Sequence, residues 1–208
     1  MKFILGVICS YLLGSIPTAF IYGKISKGID IRQHGSGNVG ATNVFRVLGK
    51  GPGILVLILD ILKGAAAVTV IPRLLGIEGT IPKVILALVV VSGHNWTIFL
   101  RFKGGKGIAA SLGALIGLAV EITLLRPILL WTVLVWLICF LLTGFVSLSS
   151  VIASVCLPLI MVWMNQPIEL ICLGVFFCIF VVIRHRPNIR RLFSGQEPRV
   201  PLFFKKRT

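Results

Sequence analysis

Apolar residues fall along this chain in seven long runs, separated by short segments where polar and basic residues crowd together. The runs lie near residues 3–23, 52–72, 82–100, 108–125, 128–146, 150–164 and 168–183, most of them close to the ~20 residues that a helix needs to cross a bilayer. The first could pass for a signal peptide. It carries Gly14, Ser15 and Pro17 without a clear cleavage site, however, and runs straight into a basic segment, so it is expected to be an uncleaved span. The fourth run carries Ala109, Ala110, Gly113, Ala114 and Gly117, a pattern that lets helix backbones approach closely in lipid. The second contains Asp60 and Lys63, three apart and so on one helical face, where a buried structural ion pair is favoured over catalysis. The pattern predicts an all-α integral membrane protein, a bundle of about seven transmembrane helices forming a single polytopic domain over 1–208. A basic segment, 184–208, follows the last span.

Composition agrees, with 57% hydrophobic and only 13% charged residues and a mean hydropathy of +1.02. Soluble domains average about 25% charged residues. The distribution of charge then orients the bundle. If odd-numbered spans run inward, sixteen Lys and Arg lie on the inner face and only Lys2, Arg73, Lys83 and Arg126 on the outer, with Lys63 left in the bilayer. That asymmetry predicts the amino end outside and the carboxyl end in the cytoplasm. A net charge of +15 invites anionic partners: lipid headgroups, nucleic acid or phosphorylated small molecules. Nucleic acid is the weakest of these, because the basic residues are not on one soluble module and only two Tyr are present for stacking. Cys9, Cys139, Cys156, Cys172 and Cys178 sit in apolar runs without CxxC spacing and are expected as small core residues.

Four segments on the predicted inner face carry candidate chemistry. In the first, GSGNVGATNVFR, Gly35, Gly37 and Gly40 permit positive φ and close approach of backbone N–H groups to an anion. Ser36, Asn38, Thr42 and Asn43 add short hydrogen-bonding groups, and Arg46 a forked cation suited to phosphate. A plain connecting loop, with a helix N-cap at Thr42 or Asn43, would use the same residues. The second, RFKGGKG, brings Lys103 and Lys106 with Gly104, Gly105 and Gly107; it is no Walker loop, since Gly107 and not Ser or Thr follows Lys106. The third, SLSS at 147–150, is expected as an uncharged serine loop, with Ser150 either a hydrogen-bond donor or a covalent acyl carrier, the donor favoured because no base is visibly placed to activate it. The fourth holds Arg184, His185 and Asn188, and repulsion from Arg184 and Arg186 favours a neutral His185 ring able to bond a substrate hydroxyl. His34 and His94 are expected in solvated and structural roles. Arg190, Arg191, Lys205, Lys206 and Arg207 are expected as membrane-surface anchors. With only Asp30 and Glu197 as acids on that side, these residues call for no metal and no cofactor.

Taken together, GSGNVGATN with Arg46, the segment GHNWTIFLRFKGGKG over 93–107 and RHRPNIRRLFSGQE over 184–197 closely resemble the bacterial acyl-phosphate:glycerol-3-phosphate acyltransferase family. The SLSS segment resembles that family's serine loop; Ile108 and Ala110 depart from the Val and Thr expected after GGKG, and Thr97 falls at a loosely held position. The resemblance implies a seven-helix enzyme of the bacterial cytoplasmic membrane that moves a fatty acyl group from acyl phosphate to the 1-hydroxyl of glycerol 3-phosphate, giving lysophosphatidate and phosphate. It further implies an active site facing the cytoplasm, anionic membrane lipids as neighbours and a soluble partner that makes the acyl phosphate. On both lines, Arg46, His185 and Asn188 are expected to hold glycerol phosphate. Lys106 with the backbone of Gly104–Gly107 is expected to hold acyl phosphate, and Ser36, Asn38, Thr42 and Asn43 to shape the shared wall, with Gly37 and Gly40 allowing close approach. The proton acceptor is either His185 or a substrate phosphate. A His-x4-Asp dyad, as used by thioester-dependent acyltransferases, is absent: Val39, Phe99 and Arg190 stand five after the three histidines. The competing reading is a transporter of an anionic phosphorylated metabolite, for which an internal repeat would be expected and none is visible.

Overall fold

The structure, a computed structural model, describes residues 1–200. The expected anchors Lys205, Lys206 and Arg207 therefore lie outside the described residues. All regular structure among the described residues is helical, and the chain divides into two compact units, one spanning Met1–Glu121 and one beginning at Ile122.

The first unit starts with α1 (Lys2–Ser15) and α2 (Thr18–Lys27), bent 41° apart. The sequence predicted one span over 3–23. Pro17 lacks an N–H and bars the helical conformation from Ile16, whose φ of −56° and ψ of 112° take the chain out of the helix. After a 3₁₀ turn at Ile31–Gln33 come α3 (Ala41–Leu48), α4 (Lys50–Leu75), α5 (Thr80–Asn95), a second 3₁₀ turn at Ile98–Leu100 and α6 (Ile108–Glu121). Glycines let these helices touch backbone to backbone. A Cβ on Gly14 of α1 would stand 2.1 Å from the Val90 carbonyl oxygen, and one on Gly93 of α5 would stand 2.3 Å from that of Tyr11. Gly64 of α4 and Gly113 of α6 meet the facing backbones of Ala110 and Ile61 in the same way. In lipid, where apolar side chains gain nothing by leaving water, this close packing is what joins helices.

The second unit runs α7 (Leu125–Thr143), α8 (Val146–Trp163), α9 (Ile168–Arg184) and α10 (Arg186–Phe193). The fourth predicted span was placed to 125, with Arg126 and Pro127 as its end. The helix ends at Glu121 instead, and Arg126 and Pro127 lie in the first turn of α7, where a missing N–H costs nothing. α7 closes at Gly144, whose φ of +73° is the left-handed cap favoured by glycine. SLSS is then no loop but the opening of α8. Its serines are compatible with an apolar surrounding because they bond their own helix: Ser149 Oγ donates to the Phe145 carbonyl at 2.9 Å and Ser150 Oγ to that of Val146 at 2.8 Å.

α4, α5 with its 3₁₀ extension, α7 and α8 are each long and apolar enough to cross a membrane, and counting the bent pairs α1/α2 and α9/α10 as single spans makes six. α6, with 14 residues, is shorter; at ~1.5 Å per residue it reaches about 21 Å. Each of the seven apolar runs thus became helix, but three of those helices, α1, α6 and α9, are too short to span alone.

Candidate active site

In the first unit, Asn43 organises the loop that precedes α3. Its Oδ1 accepts from Ser36 N at 2.8 Å and Ser36 Oγ at 3.1 Å, and its Nδ2 donates to the carbonyls of His34 at 3.0 Å and Ile31 at 3.2 Å. Both hydrogens and both lone pairs are taken, and the residue is 1% exposed, so Asn43 shapes the wall and has nothing left for a phosphate. Gly35 (φ +60°) and Gly37 (φ +69°) supply the left-handed turns that wrap the loop around it. Gly40, not Thr42 or Asn43, is the N-cap of α3, and a Cβ there would press on the Asn38 amide at 2.8 Å. Ser36 and Arg46 are exposed, Asn38 and Thr42 half-buried, and His34 is exposed. Asp30 caps the 3₁₀ turn and holds Arg32 at 2.6 Å; hydrogen bonding from Arg32 lowers its carboxyl to about 2.

The second glycine segment is placed by an abrupt turn. Arg101 (φ +53°) and Phe102 (φ +61°) are successive non-glycine residues in the left-handed region, each costing about 1–3 kcal/mol. They swing Gly104 and Gly105 back along the end of α5, where Gly104 N donates to the Asn95 carbonyl at 3.2 Å and Gly105 N to that of His94 at 3.0 Å. Those two amides are therefore spent on the protein. The glycines are needed for close approach: a Cβ on Gly104 would lie 2.1 Å from the His94 carbonyl oxygen, and one on Gly105 would lie 2.1 Å from its Nε2. Lys106 is half-buried, and Gly107 (φ +82°) leads into the N-terminus of α6, whose first N–H groups have no intrahelical partner and carry the positive end of the helix dipole.

Leu100, just before the second glycine segment, shares a core cluster with Val39 and Val44 of the first, and both segments line one small cavity through Val39, Gly104 and Gly105. Under that cavity lies a buried charged group. Lys63 Nζ stands 2.9 Å from Asp60 Oδ1, which also accepts from Thr18 Oγ1 at 2.7 Å; His94 Nδ1 lies 3.6 Å from the same oxygen. Asp60 and Lys63 thus form the expected pair, and His94 is buried beside it.

In the second unit the organiser is Glu197, to which the sequence reading gave no role. Its Oε1 accepts from Ser147 Oγ at 2.7 Å and Asn188 Nδ2 at 2.6 Å, and its Oε2 from Arg191 Nε at 2.8 Å. Burial works to raise its pKa, but hydrogen bonds from Asn188, Ser147 and Arg191 together hold the carboxyl below its usual value. The signals available were a lone acid in a strongly basic tail and its place at the end of the 184–197 motif. His185 sits at the corner between α9 and α10, 3% exposed, with Nδ1 2.8 Å from the Val181 carbonyl oxygen. A carbonyl only accepts, so Nδ1 carries a hydrogen. Ser150, 2% exposed, accepts from Trp136 Nε1 at 3.2 Å besides donating to Val146.

Residues 4–195 match the family model described as glycerol-3-phosphate acyltransferase. A glycerol-3-phosphate acyltransferase of Synechococcus sp. (strain JA-3-3Ab) is 45% identical over 197 residues, covering 95% of this chain and 93% of that protein. Two crystal structures of PlsY, an integral membrane glycerol 3-phosphate acyltransferase, are similar throughout. The glycerol 3-phosphate form gives a TM-score of 0.86 at 37% identity, covering 98% of this chain and 100% of that one. The lysophosphatidic acid form gives 0.82 at 38%, covering 96% and 95%. With its apolar helices, its glycine-rich loops and these matches along nearly its whole length, the chain belongs to the glycerol-3-phosphate acyltransferase family of integral membrane enzymes.

Proposed function

We propose that this chain transfers a fatty acyl group from acyl phosphate to the 1-hydroxyl of glycerol 3-phosphate at the cytoplasmic face of the bacterial cytoplasmic membrane. The glycerol oxygen adds to the acyl carbonyl carbon, the bond from that carbon to the bridging phosphate oxygen breaks, and lysophosphatidate and inorganic phosphate leave. Both substrates are phosphates, which fits cations and neutral donors better than carboxylates. The observation that carries this reading is how the acids are committed. Asp30 is bonded to Arg32, Asp60 to Lys63 and Thr18, and Glu197 to Ser147, Asn188 and Arg191. In the first unit, the acids near the glycine segments, Asp30 and Asp60, are therefore already neutralised.

Acyl phosphate is assigned to Lys106 and the N–H groups at the start of α6, with Gly104 and Gly105 giving the loop its shape. In the first unit, glycerol phosphate is assigned to Arg46, within a wall shaped by Ser36, Asn38, Thr42 and Asn43 and opened by Gly37 and Gly40. The hydroxyl proton passes to a substrate phosphate or to His185. A mixed anhydride has a good leaving group, so positioning and charge neutralisation supply most of the acceleration and no strong base is needed. The excess of basic residues on one set of loops supports an amino end outside and a carboxyl end inside. Arg186, Arg190 and Phe193, all exposed on α10, suit a surface of anionic headgroups.

Lys106→Ala tests the assignment. Purified in detergent and melting at the wild-type temperature, the variant is expected to lose turnover by about a thousandfold. Full activity would remove Lys106 from the phosphate site.

A further inference from the structure

Lys63 stands where two unlike spaces in the first unit meet. One is the cavity of about 10 Å³ beneath the glycine loops, whose walls include Thr18, Val39, Lys63, His94, Thr97 and Gly105. That volume has room for a single oxygen atom. The other is an open groove of about 530 Å³ with almost wholly apolar walls, among them Leu13, Ile21, Ile25, Leu59, Leu62 and Ala66. Ile16, Thr18 and Lys63 line both.

The hydrogens of the Lys63 ammonium can be accounted for. One goes to Asp60 Oδ1 at 2.9 Å and one to the Ile16 carbonyl oxygen at 2.9 Å, the carbonyl set loose by the break before Pro17. A third remains, on a cation whose side chain is 6% exposed and faces the cavity. The neighbouring hydroxyls have no such hydrogen to give, since Thr18 donates to Asp60 and Thr97 to the Ser15 carbonyl. A charged donor held in a water-poor site, with its counter-ion already in place, needs no reorganisation when negative charge develops beside it.

An acyl phosphate is divided in the same order as these spaces: an anionic phosphate, a carbonyl and an aliphatic chain. With the phosphate at the Lys106 loop and the chain along the groove, the carbonyl falls at the seam. We propose that Lys63 is a further catalytic residue, whose ammonium donates to the carbonyl oxygen of the acyl donor and stabilises the oxyanion formed when the glycerol hydroxyl adds. Collapse of that oxyanion expels phosphate, and Lys63 keeps its proton throughout. The proposal rests on the acyl phosphate reading above.

Lys63→Met alone would strand a buried carboxylate and unfold the protein. The decisive variant is therefore Asp60→Asn with Lys63→Met, which removes both charges and keeps the volume. In purified, folded protein it is expected to turn over palmitoyl phosphate and glycerol 3-phosphate with kcat reduced about 100- to 1,000-fold and both KM values changed less than about threefold. A kcat within about threefold of wild type would make Lys63 a structural partner of Asp60 and overturn the proposal. A second arm fills the groove with Leu59→Phe and Ala66→Phe. It is expected to shift the kcat/KM ratio at least about tenfold from palmitoyl toward octanoyl phosphate, since a narrowed apolar slot discriminates by chain length. An unchanged ratio would mean that the groove holds only bilayer lipid, which overturns the placement of the carbonyl at the seam; this arm decides if the double variant does not fold. Wild-type turnover of acyl phosphate in the same assay reports on the donor, and only variant-to-wild-type ratios report on Lys63.

Discussion

The Ser150 hydroxyl gives its hydrogen to the Val146 carbonyl and receives one from the Trp136 indole, so both of its bonding directions run into the second unit's own helices. A nucleophilic serine needs a base within reach, and neither partner can act as one. Ser150→Ala is therefore expected to keep turnover within about fivefold while losing roughly 1 kcal/mol of stability. Intact mass after incubation with acyl phosphate alone should show no added acyl group. An acyl adduct on Ser150 would contradict this. Asn43 is the same lesson at another position: the sequence marked it as part of a loop suited to phosphate, but the fold shows its amide saturated by Ser36, His34 and Ile31. Residue type tells which bonds a side chain can make; the fold decides which of them are already made.

Between helices, Glu197 ties the chain after α10 to the start of α8 and to α10 itself, reinforced by Val200 N bonding the Gly144 carbonyl at 3.0 Å. Its carboxyl is held below the usual range in the folded state, so its contribution to stability is complete above the unfolded-state value of about 4.3. That contribution is lost as pH falls through the lower folded value. Glu197→Gln should lower the melting temperature at pH 7 and flatten its acid-side decline, followed by scanning wild type and variant between about pH 3 and 7. Parallel acid limbs would show that Glu197 does not carry this linkage. The apolar runs were legible because a bilayer demands a long apolar stretch, and all seven became helix. Element ends were less so. The Ile16–Pro17 break was written in Pro17 yet submerged in a continuous run, and the serine turn looked like a loop because back-bonding to Phe145 and Val146 leaves no mark in composition. Glu197 was illegible for the opposite reason: a single acid says nothing until three donors from separate places are seen around it.

Across the whole molecule, charge and hydropathy set the class of chemistry. A chain with +15 net charge and mean hydropathy of +1.02 places cations beside lipid, which is where a phosphate joined to an acyl chain would be handled. Membership of the glycerol-3-phosphate acyltransferase family fixes the acceptor side, and the transporter reading falls away with it. The donor is the central claim. The direct test gives detergent-purified protein labelled glycerol 3-phosphate and, in separate reactions containing a metal chelator, palmitoyl phosphate, palmitoyl-CoA or palmitoyl acyl carrier protein. The account predicts lysophosphatidate and stoichiometric phosphate from palmitoyl phosphate alone. Turnover with either thioester at a comparable rate, or none with palmitoyl phosphate, would contradict it.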